Sequence, residues 1–299
     1  IEIDSDKKNP LDFALWIKAD ENHILKWNSP WSIGYPGWHI ECSVMSCDLL
    51  GENTFDIHGG GNENAFPHNE NEIAQSEALI GERMANYWVL WNMVNTGGTK
   101  MGKSLGNATN LKEAIKKYSA TTVRLWIISS HYRSILDYSE VPLLQADKNL
   151  EKISKFINHI ETKLAKAAPL SEEMSAIDFD YYREKFQEAM DDDFNTPLAL
   201  SVFYDLITQT YKIETENKIT ATDLKNILSF WNKINTIFSL EIKTLKDDEI
   251  SPEIIQLAQE RETARKNKDF QEADNLRDKL REKGFEIEDT NEGFKLSKN

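Results

Sequence analysis

Three residues of types that bind transition metals occur near the start of the sequence: Cys42, His68 and Glu72. His68 and Glu72 are four residues apart in a stretch of helical composition, so both side chains project from one helix face and can reach a single ion. A thiolate from Cys42 would complete a sulfur, nitrogen and oxygen set that zinc accepts, with one position left open. The alternative is a surface hydrogen bond between His68 and Glu72 and a cysteine that only packs.

A second candidate is the segment 97–107, GGTKMGKSLGN, which lies between an expected strand and an expected helix. A mobile glycine-bearing loop with Lys100 and Lys103 can bring two ammonium groups onto phosphates and neutralise developing negative charge. Solvated lysines in an exposed turn are the alternative interpretation.

The third candidate is the run Gly59, Gly60 and Gly61, which follows a short apolar stretch. Glycines at the carboxyl end of a strand let a ligand approach the backbone closely, as in open α/β sheets. A flexible turn would have the same composition.

Composition limits the class of protein. The sequence has 299 residues, 50 of them acidic and 35 basic, and a net charge of −15, which argues against a protein that coats nucleic acid non-specifically. Cys42 and Cys47 are its two cysteines, so a disulfide framework is not expected and a reducing compartment fits. No apolar run approaches the length of a membrane span. We therefore expect a cytoplasmic protein that does not enter membranes.

The elements that position these residues change character along the chain. The first hundred residues hold short apolar runs bounded by glycines and are expected to alternate strands and helices. From Leu111 the pattern is helical, and Asn110 with Glu113 is typical of a capping box at a helix start. A long amphipathic stripe follows and is expected to end at Pro169. Its apolar residues are Leu150, Ile153, Ile157, Ile160 and Leu164.

A second helical block is expected to begin with Thr196 as N-cap and Pro197 as the first helical residue. Two apolar faces are predicted for it, formed by Ala199, Val202, Phe203 and Leu206 and by Leu224, Ile227, Leu228, Trp231, Ile234 and Phe238. The charged stretch 241–251 indicates a linker. Two helices should follow, the first starting at Pro252 and the second ending at Gly284, and then a hairpin of residues 285–288 and 294–296.

Several long sequence segments occur in an order that resembles that of one known family. They are 36–43 (PGWHIECS), 55–61 (FDIHGGG), 66–77 (FPHNENEIAQSE), 100–107 (KMGKSLGN), 130–134 (SHYRS), 189–197 (AMDDDFNTP) and 269–274 (DFQEAD). In content, order and spacing they resemble segments of cysteinyl-tRNA synthetases, which are class I aminoacyl-tRNA synthetases. The resemblance extends over essentially the whole chain.

The resemblance implies roles for matching positions. Cys42, His68 and Glu72 match three of the four zinc ligands of the family. Trp38 matches a residue at the substrate cysteine, and His58 lines the same pocket. Lys103 matches the second lysine of the K-M-S-K-S loop, which contacts ATP phosphates, and Lys100 matches the first. The implied cofactors and co-substrates are one Zn²⁺ and ATP with Mg²⁺.

The sequence also departs from the family pattern. Gly102 replaces the first serine of the loop, and Asn69 replaces the second histidine of a Pro-His-His-Glu word. Glu63 lies in a triplet where a hydrophobic-Asp-hydrophobic pattern is usual, which puts the ribose contact there in doubt. The H-I-G-H-type motif and the first zinc cysteine of the family are expected upstream of Ile1, so we expect the 299 residues alone not to activate cysteine.

The family implies an α/β fold followed by an all-α part. Residues 1–110 would be the C-terminal half of a Rossmann-like class I catalytic domain, 111–168 a helical stem and 169–245 a helical bundle that binds tRNA. Residues 246–299 would be a small α+β tail that reads the anticodon. Two basic groups support the tail assignment: Arg261, Arg265, Lys266 and Lys268, followed by Arg277, Lys279, Arg281 and Lys283. The alternative is a pair of solvated charged helices whose basic residues form ion pairs on the helix surface.

The implied activity is cysteine–tRNA ligation by a monomer, in which cysteine and ATP form cysteinyl-adenylate and the cysteinyl group is transferred to cysteine tRNA. Zinc would select the thiol, because a neutral serine hydroxyl is a poor zinc ligand. One alternative is a cysteine–amino-sugar ligase of the mycothiol pathway, which the long helical continuation disfavours. The other is a non-catalytic tRNA-binding fragment.

Overall fold

The structure is a computed structural model that describes residues 7–166, 175–242, 252–267, 269–290 and 293–298. The chain divides into two compact units, Ile1–Glu241 and Ile242–Asn299.

The first unit begins with a small antiparallel sheet in the order β1-β3-β2. Its strands are β1 (Trp16–Lys18), β2 (Trp27–Asn28) and β3 (Ile33–Pro36). The third strand leads through Gly37 into helix α1 (Trp38–Leu50). The Gly37 amide donates to the carbonyl of Leu15 over 2.9 Å, and a Cβ at Gly37 would lie 2.0 Å from the carbonyl oxygen of Ala14. Only glycine can start α1 at this distance from the sheet.

A parallel β-α-β unit follows, formed by β4 (Phe55–Gly61), α2 (Glu70–Ile80) and β5 (Ala85–Trp91). The two strands pair in parallel with Gly61 opposite Trp91, so their carboxyl ends lie side by side. A short 3-10 turn and a π-type turn, Asn62–Asn64 and Ala65–Asn69, connect β4 to α2. The apolar core of this unit consists of Phe55, Met84 and Ala85, with Trp88 packed against them.

A second small sheet has the order β7-β6-β8. Its strands are β6 (Val94–Thr96), β7 (Thr99–Lys100) and β8 (Leu136–Asp137), and a 3-10 turn spans Lys103–Leu105. The segment 97–107 is therefore not a free loop between strand and helix. Its first part is one arm of a hairpin closed by a two-residue glycine turn, because such turns match the twist of paired strands.

The rest of the first unit is helical, as the sequence predicts from Leu111 onward. The helices are α3 (Leu111–Tyr118), α4 (Ala120–Ile128), α5 (Glu140–Lys166), α6 (Phe179–Asp191), α7 (Thr196–Thr215) and α8 (Ala221–Phe238). Asn110 is the N-cap of α3 and accepts a hydrogen bond from the Lys112 amide. The predicted stripe lies in α5, where its middle residues Ile153, Ile157 and Ile160 are buried. Its predicted end at Pro169 lies outside the described residues.

Helix α7 begins one residue differently from the prediction. Asn195, not Thr196, is the N-cap, and its side-chain oxygen accepts from the Leu198 amide over 3.2 Å. The cause lies just upstream, where Asp193 and Phe194 both have positive φ and turn the chain so that the Asn195 side chain faces the first helical turn. The two predicted apolar faces of α7 and α8 are in the core. Their buried members are Ala199, Phe203, Leu206, Leu224, Ile227, Trp231, Ile234 and Phe238.

Helix α8 starts with a capping box that the sequence reasoning missed. The Thr220 side chain accepts from the Asp223 amide, and the fully buried Asp223 carboxylate accepts from the Thr220 amide over 2.9 Å. The same carboxylate accepts from the Ser175 hydroxyl over 2.5 Å and from the Ile177 amide over 3.2 Å. Asp223 therefore ties the start of α8 to the segment that leads into α6.

The second unit is a helix pair followed by a hairpin, as predicted. Its elements are α9 (Pro252–Lys266), α10 (Phe270–Glu282), β9 (Phe285–Thr290) and β10 (Gly293–Lys298). Its buried core consists of Ile254, Ala258, Leu280, Phe285 and Ile287. Gly284 follows the C-cap of α10 with a φ of +82°. Residues 243–251 of the predicted linker and residues 291–292 of the predicted turn lie outside the described part of the chain.

No helix in the described residues is both long enough and apolar enough to cross a membrane.

Candidate metal centre and active site

The structure brings the three candidate metal ligands together. Cys42 comes from the first half of α1, His68 from the turn before α2 and Glu72 from the first turn of α2. One donor atom from each side chain lies within 4.8 Å of the other two. The Cys42 sulfur is 3.6 Å from His68 Nε2, and the same nitrogen is 2.6 Å from Glu72 Oε1. These are a thiol, an imidazole and a carboxylate converging on one point.

The Glu72 side chain is the most buried of the three, with none of its surface exposed. Its second oxygen lies 2.6 Å from Nε2 of His58, which is stacked on Trp88 with ring centroids 4.1 Å apart. Neither of the two short imidazole contacts has the alignment of a hydrogen bond, so both carboxylate oxygens are buried without an aligned donor. A cation between the ligands would satisfy these oxygens. His58, expected in the substrate pocket, therefore also touches a candidate ligand.

The charges of these groups depend on one another. Burial raises the pKa of the Cys42 thiol to about 11, and the neighbouring Glu72 carboxylate adds to the rise. Burial by itself would also raise the pKa of Glu72, but the neighbouring His58, Cys42 and His68 side chains together outweigh burial and leave that pKa below its ordinary value. Glu72 is therefore the anion of the cluster in the absence of an ion, and Cys42 is a neutral thiol.

A row of polar contacts holds α1 against α2 and sets the distance between the ligands. The Gln75 amide donates to the Ser43 hydroxyl over 2.5 Å and to the backbone carbonyl of His39 over 2.6 Å. The hydroxyls of Ser76 and Ser43 are 2.8 Å apart, and both serines are buried. We call Ser43, Gln75 and Ser76 the helix seam. Each of its residues adjoins a candidate ligand in sequence or lies one helical turn from it.

Two aromatic residues at the start of α1 flank His68. The Trp38 ring lies 4.1 Å from the His68 ring, and the Trp38 side chain is 60% exposed, so it forms an open wall beside the cluster. Nδ1 of His39 is 2.9 Å from Nδ1 of His68. Burial and the adjacent His68 lower the pKa of His39. The sequence reasoning did not single out His39, although it stands three residues before Cys42.

The three glycines lie in the last part of β4, next to the carboxyl end of β5. A Cβ at Gly61 would lie 2.6 Å from a carboxylate oxygen of Glu63, so this glycine leaves room for that side chain. Glu63 in turn lies 3.6 Å from the Lys100 ammonium. Both side chains are about half exposed, so the pair contributes little to stability.

The lysine-bearing segment 97–107 is fastened by a residue that the sequence reasoning did not consider. The Asn107 side chain accepts from the Gly102 amide over 2.9 Å and donates to the Lys100 carbonyl over 3.1 Å. Lys103 is in the 3-10 turn between them, and its side chain lies outside what the structure describes. Among the described residues, no hydrogen bond or ion pair joins Lys100 to the cluster of Cys42, His68 and Glu72. An asparagine inside a glycine-containing turn is the signal that could have identified Asn107.

Two other segments that resemble the family, 130–134 and 189–197, contact each other away from the cluster. The Tyr132 hydroxyl donates to Asp193 over 2.5 Å, and Nε of Arg133 donates to the other oxygen of the same carboxylate over 2.5 Å. The Asn92 amide donates to the Tyr132 carbonyl over 2.8 Å. Residues 130–134 thus link the end of β5 to the turn before α7.

Two residues that depart from the family pattern are placed near the site. Asn69 is buried beside His68, and its amide oxygen lacks a hydrogen-bond partner in the described part of the chain. Gly102 keeps its amide bonded to Asn107. Arg261, one of the expected basic residues of the tail, is buried and does not belong to its exposed basic surface. Lys268 lies outside the described residues.

Three family models match consecutive parts of the chain. Residues 1–148 match tRNA synthetases class I (C) catalytic domain. Residues 185–240 match the DALR domain, and residues 247–294 match the cysteinyl-tRNA ligase anticodon binding domain.

Similar proteins include the cysteine–tRNA ligase of Chlorobium chlorochromatii, which is 45% identical over 98% of this chain and 61% of its own length. The cysteine–tRNA ligase of Finegoldia magna is 41% identical over 98% of this chain and 62% of its own length. The chain thus spans about three-fifths of the length of the curated relatives it matches.

Solved structures show a related fold at low sequence identity. A complex of Agrobacterium radiobacter K84 agnB2 LeuRS with tRNA and LeuAMS superposes with a TM-score of 0.50 at 16% identity, covering 62% of this chain and 26% of that one. A protein described as an arginyl-tRNA synthetase of Campylobacter jejuni gives a TM-score of 0.50 at 18% identity, covering 71% of this chain and 52% of that one. An α/β part of class I type followed by helices is the predicted fold, and it is confirmed. The chain belongs to the cysteinyl-tRNA synthetase family of class I aminoacyl-tRNA synthetases.

Proposed function

We propose that this chain acts in cysteine–tRNA ligation, in which cysteine and ATP give cysteinyl-adenylate and the cysteinyl group then passes to cysteine tRNA. The observation that carries the proposal is the Cys42, His68 and Glu72 cluster. It lies in a chain that is 45% identical to a cysteine–tRNA ligase. A thiol-selective centre is what such a reaction requires, because serine differs from cysteine only by oxygen in place of sulfur.

The cluster fits Zn²⁺ through Cys42 Sγ, His68 Nε2 and an oxygen of Glu72. Support comes from the buried carboxylate oxygens without aligned donors and from a donor set of sulfur, nitrogen and oxygen. When bound, zinc would hold a substrate thiolate and leave a neutral hydroxyl unbound. The loss of a whole contact gives discrimination of about 10⁴-fold or more, so no editing site is required.

Other residues of the chain would hold the substrates. Trp38 is an exposed ring beside His68 and would form one wall of the cysteine pocket, with His58 near its floor. Gly59, Gly60 and Gly61 would let the nucleotide approach the end of the parallel strands. Lys103, with a smaller contribution from Lys100, would contact the phosphates of ATP, which carries Mg²⁺.

The match of residues 247–294 to the cysteinyl-tRNA ligase anticodon binding domain supports tRNA as the acceptor. It gives no support to an amino-sugar acceptor or to a fragment without catalysis. The exposed basic residues Arg277, Lys279 and Arg281 of α10, and Lys283 directly after it, would face the tRNA backbone. We propose a monomer that works in the cytoplasm with the rest of the translation machinery.

The test is cysteine-dependent exchange of pyrophosphate into ATP, measured on the protein as its gene encodes it, with serine as the comparison substrate. We expect exchange with cysteine, none above background with serine, and loss of exchange after zinc is removed by a chelator. Charging of cysteine tRNA tests the second step. Exchange that is equal for serine, or that survives complete zinc removal, would contradict the proposal.

A further inference from the structure

We propose that His39 is a positioning residue for the metal centre. Its Nδ1 accepts a hydrogen bond from Nδ1 of His68 and so keeps Nε2 of His68 unprotonated and aimed at Cys42 and Glu72. The inference rests on the proposed metal function of Cys42, His68 and Glu72.

The geometry at His68 assigns a separate task to each ring nitrogen. Nε2 faces the cluster, 3.6 Å from Cys42 Sγ and 2.6 Å from Glu72 Oε1. Nδ1 faces away from the cluster and is 2.9 Å from Nδ1 of His39. A neutral imidazole carries one proton, and a nitrogen that binds a metal must be the one without it. The proton of His68 therefore belongs on Nδ1, where His39 is the acceptor.

His39 is itself held from several sides. Its ring makes an edge contact with Phe13, with centroids 5.7 Å apart, and lies near the Trp38 ring at 5.9 Å. Its backbone carbonyl accepts from the Gln75 amide of the helix seam over 2.6 Å. In α1, His39 stands three residues before Cys42, so both project from the same side of the helix. One helix thus supplies a ligand and also the group that orients a ligand on the next helix.

An imidazole as acceptor suits a thiol-selective centre. Histidine ligands more often donate to carboxylates or backbone carbonyls. A neutral imidazole adds no negative charge next to Glu72 and the Cys42 thiolate, so the arrival of a substrate thiolate is opposed less than it would be beside another carboxylate.

Two substitutions separate the hydrogen bond of His39 from its packing. His39→Phe keeps an aromatic ring against Phe13 and Trp38 but has no acceptor. His39→Asn loses the ring but retains a side-chain oxygen close to the position of Nδ1. The readouts are the zinc dissociation constant, from competition with a chromophoric chelator, and the visible absorption spectrum of the Co²⁺-loaded chain. Urea unfolding of the metal-free variants reports whether each is folded.

We expect His39→Phe to weaken zinc binding by roughly 10–100-fold, the loss typical of removing such a partner, and to change the Co²⁺ spectrum. We expect His39→Asn to bind zinc within a few-fold of the parent chain and to retain its spectrum. Normal zinc binding by His39→Phe would overturn the inference. Equal losses in both variants would also overturn it, because the ring rather than its acceptor would then hold the site.

The measurement also separates this inference from the proposed function. If the parent chain has no zinc site, or if Cys42→Ala leaves zinc bound, the metal assignment itself is wrong whatever the His39 variants do. If the parent chain binds zinc and His39→Phe binds it equally well, only the assignment of His39 is wrong.

Discussion

At the scale of single residues, Glu72 is the centre of the site. Its carboxylate is fully buried and contacts His58 on one side and His68 on the other. The Cys42 thiol has a raised pKa and adds no second negative charge until it loses its proton. An anion in such surroundings is costly unless a cation compensates it. In the proposed metal centre, Glu72 would thus create the need for a cation as well as supply a ligand.

Glu72→Gln removes the charge and almost no volume, so it tests this directly. We expect zinc affinity to fall by at least about a hundredfold, because losing a ligand should cost more than losing an outer partner. The measurement is zinc content after dialysis together with chelator competition. Glu70→Gln is the matched control, since Glu70 is exposed at the start of the same helix. Equal zinc retention by the two variants would remove Glu72 from the site.

Lys103 makes a second test at this scale. In the protein as its gene encodes it, we expect Lys103→Ala to lower kcat of cysteine-dependent pyrophosphate exchange by about 10²–10³-fold, the usual effect of removing a group that stabilises transition-state charge. KM for cysteine should change little, because the proposed partner of Lys103 is a phosphate of ATP. Lys112→Ala, an exposed lysine of α3, should behave like the parent protein. A change confined to KM for cysteine would assign Lys103 a different contact.

At the scale of elements, periodicity predicted what lies on one helix but not what meets across two. The faces of α5, α7 and α8 follow from apolar spacing alone and are buried as expected. The His68 and Glu72 pair follows equally from its spacing of four residues. The contact between His39 and His68, in contrast, depends on how α1 lies against α2, which no local pattern encodes. Asn195 was missed because backbone reversal at Asp193 and Phe194 decides which residue caps α7.

Asp223 shows how one element depends on another. Its carboxylate accepts hydrogen bonds at the start of α8 and from residues 175–177. We expect Asp223→Asn to lower the free energy of unfolding by roughly 2–3 kcal/mol, because an amide cannot accept at both of its ends and buried donors lose their partner. Urea denaturation followed by circular dichroism measures this. Asp180→Asn, at an exposed position in α6, should change stability by less than about 0.5 kcal/mol.

The same residue predicts a dependence on pH. Burial alone would raise the pKa of Asp223, but the hydrogen bonds from Ser175 and Thr220 more than offset it, so the pKa in the folded chain lies below its ordinary value. A lowered pKa means that Asp223 stabilises the fold above the unfolded pKa of about 3.9 and that this contribution disappears as the pH falls through the folded pKa. The gap in unfolding free energy between the parent chain and Asp223→Asn should therefore narrow in acid. If this difference in unfolding free energy did not change with pH, the charge of the Asp223 carboxylate would not be what stabilises the fold.

At the scale of the whole molecule, the chain combines a strongly acidic total with a small C-terminal unit that has its own core. The net charge is −15, yet the exposed side of α10 carries several basic residues. Attraction to RNA depends on the local surface within a Debye length of about 8–10 Å, so an acidic total does not by itself oppose contact through these basic side chains, which α10 exposes beside Glu272, Asp274, Asp278 and Glu282. The composition therefore argues against a protein that coats nucleic acid non-specifically, but it is compatible with a specific RNA partner.

Removal of residues 252–299 from the protein as its gene encodes it tests the contribution of the second unit. We expect KM for tRNA to rise by at least about tenfold, because the proposed contacts of this unit with the RNA backbone would be lost, and the rise should be smaller at high salt. Cysteine-dependent pyrophosphate exchange should be unaffected and serves as the internal control. Unchanged dependence on tRNA would show that this unit does not contact the RNA, and loss of exchange would show that adenylate formation requires it.

The helix seam of Ser43, Gln75 and Ser76 has a consequence for protein engineering. Its two serines are small, and the side-chain nitrogen of Gln75 donates to both the Ser43 hydroxyl and the His39 carbonyl, so these contacts hold α1 and α2 at their separation. A substitution in the helix seam can therefore alter the proposed cysteine pocket without replacing any of its candidate ligands. A larger residue at Ser43 would spread the two helices and change the ligand spacing while every ligand remains in place. Selection for a selenium-containing or otherwise enlarged substrate should thus enrich changes in the seam before changes in the ligands.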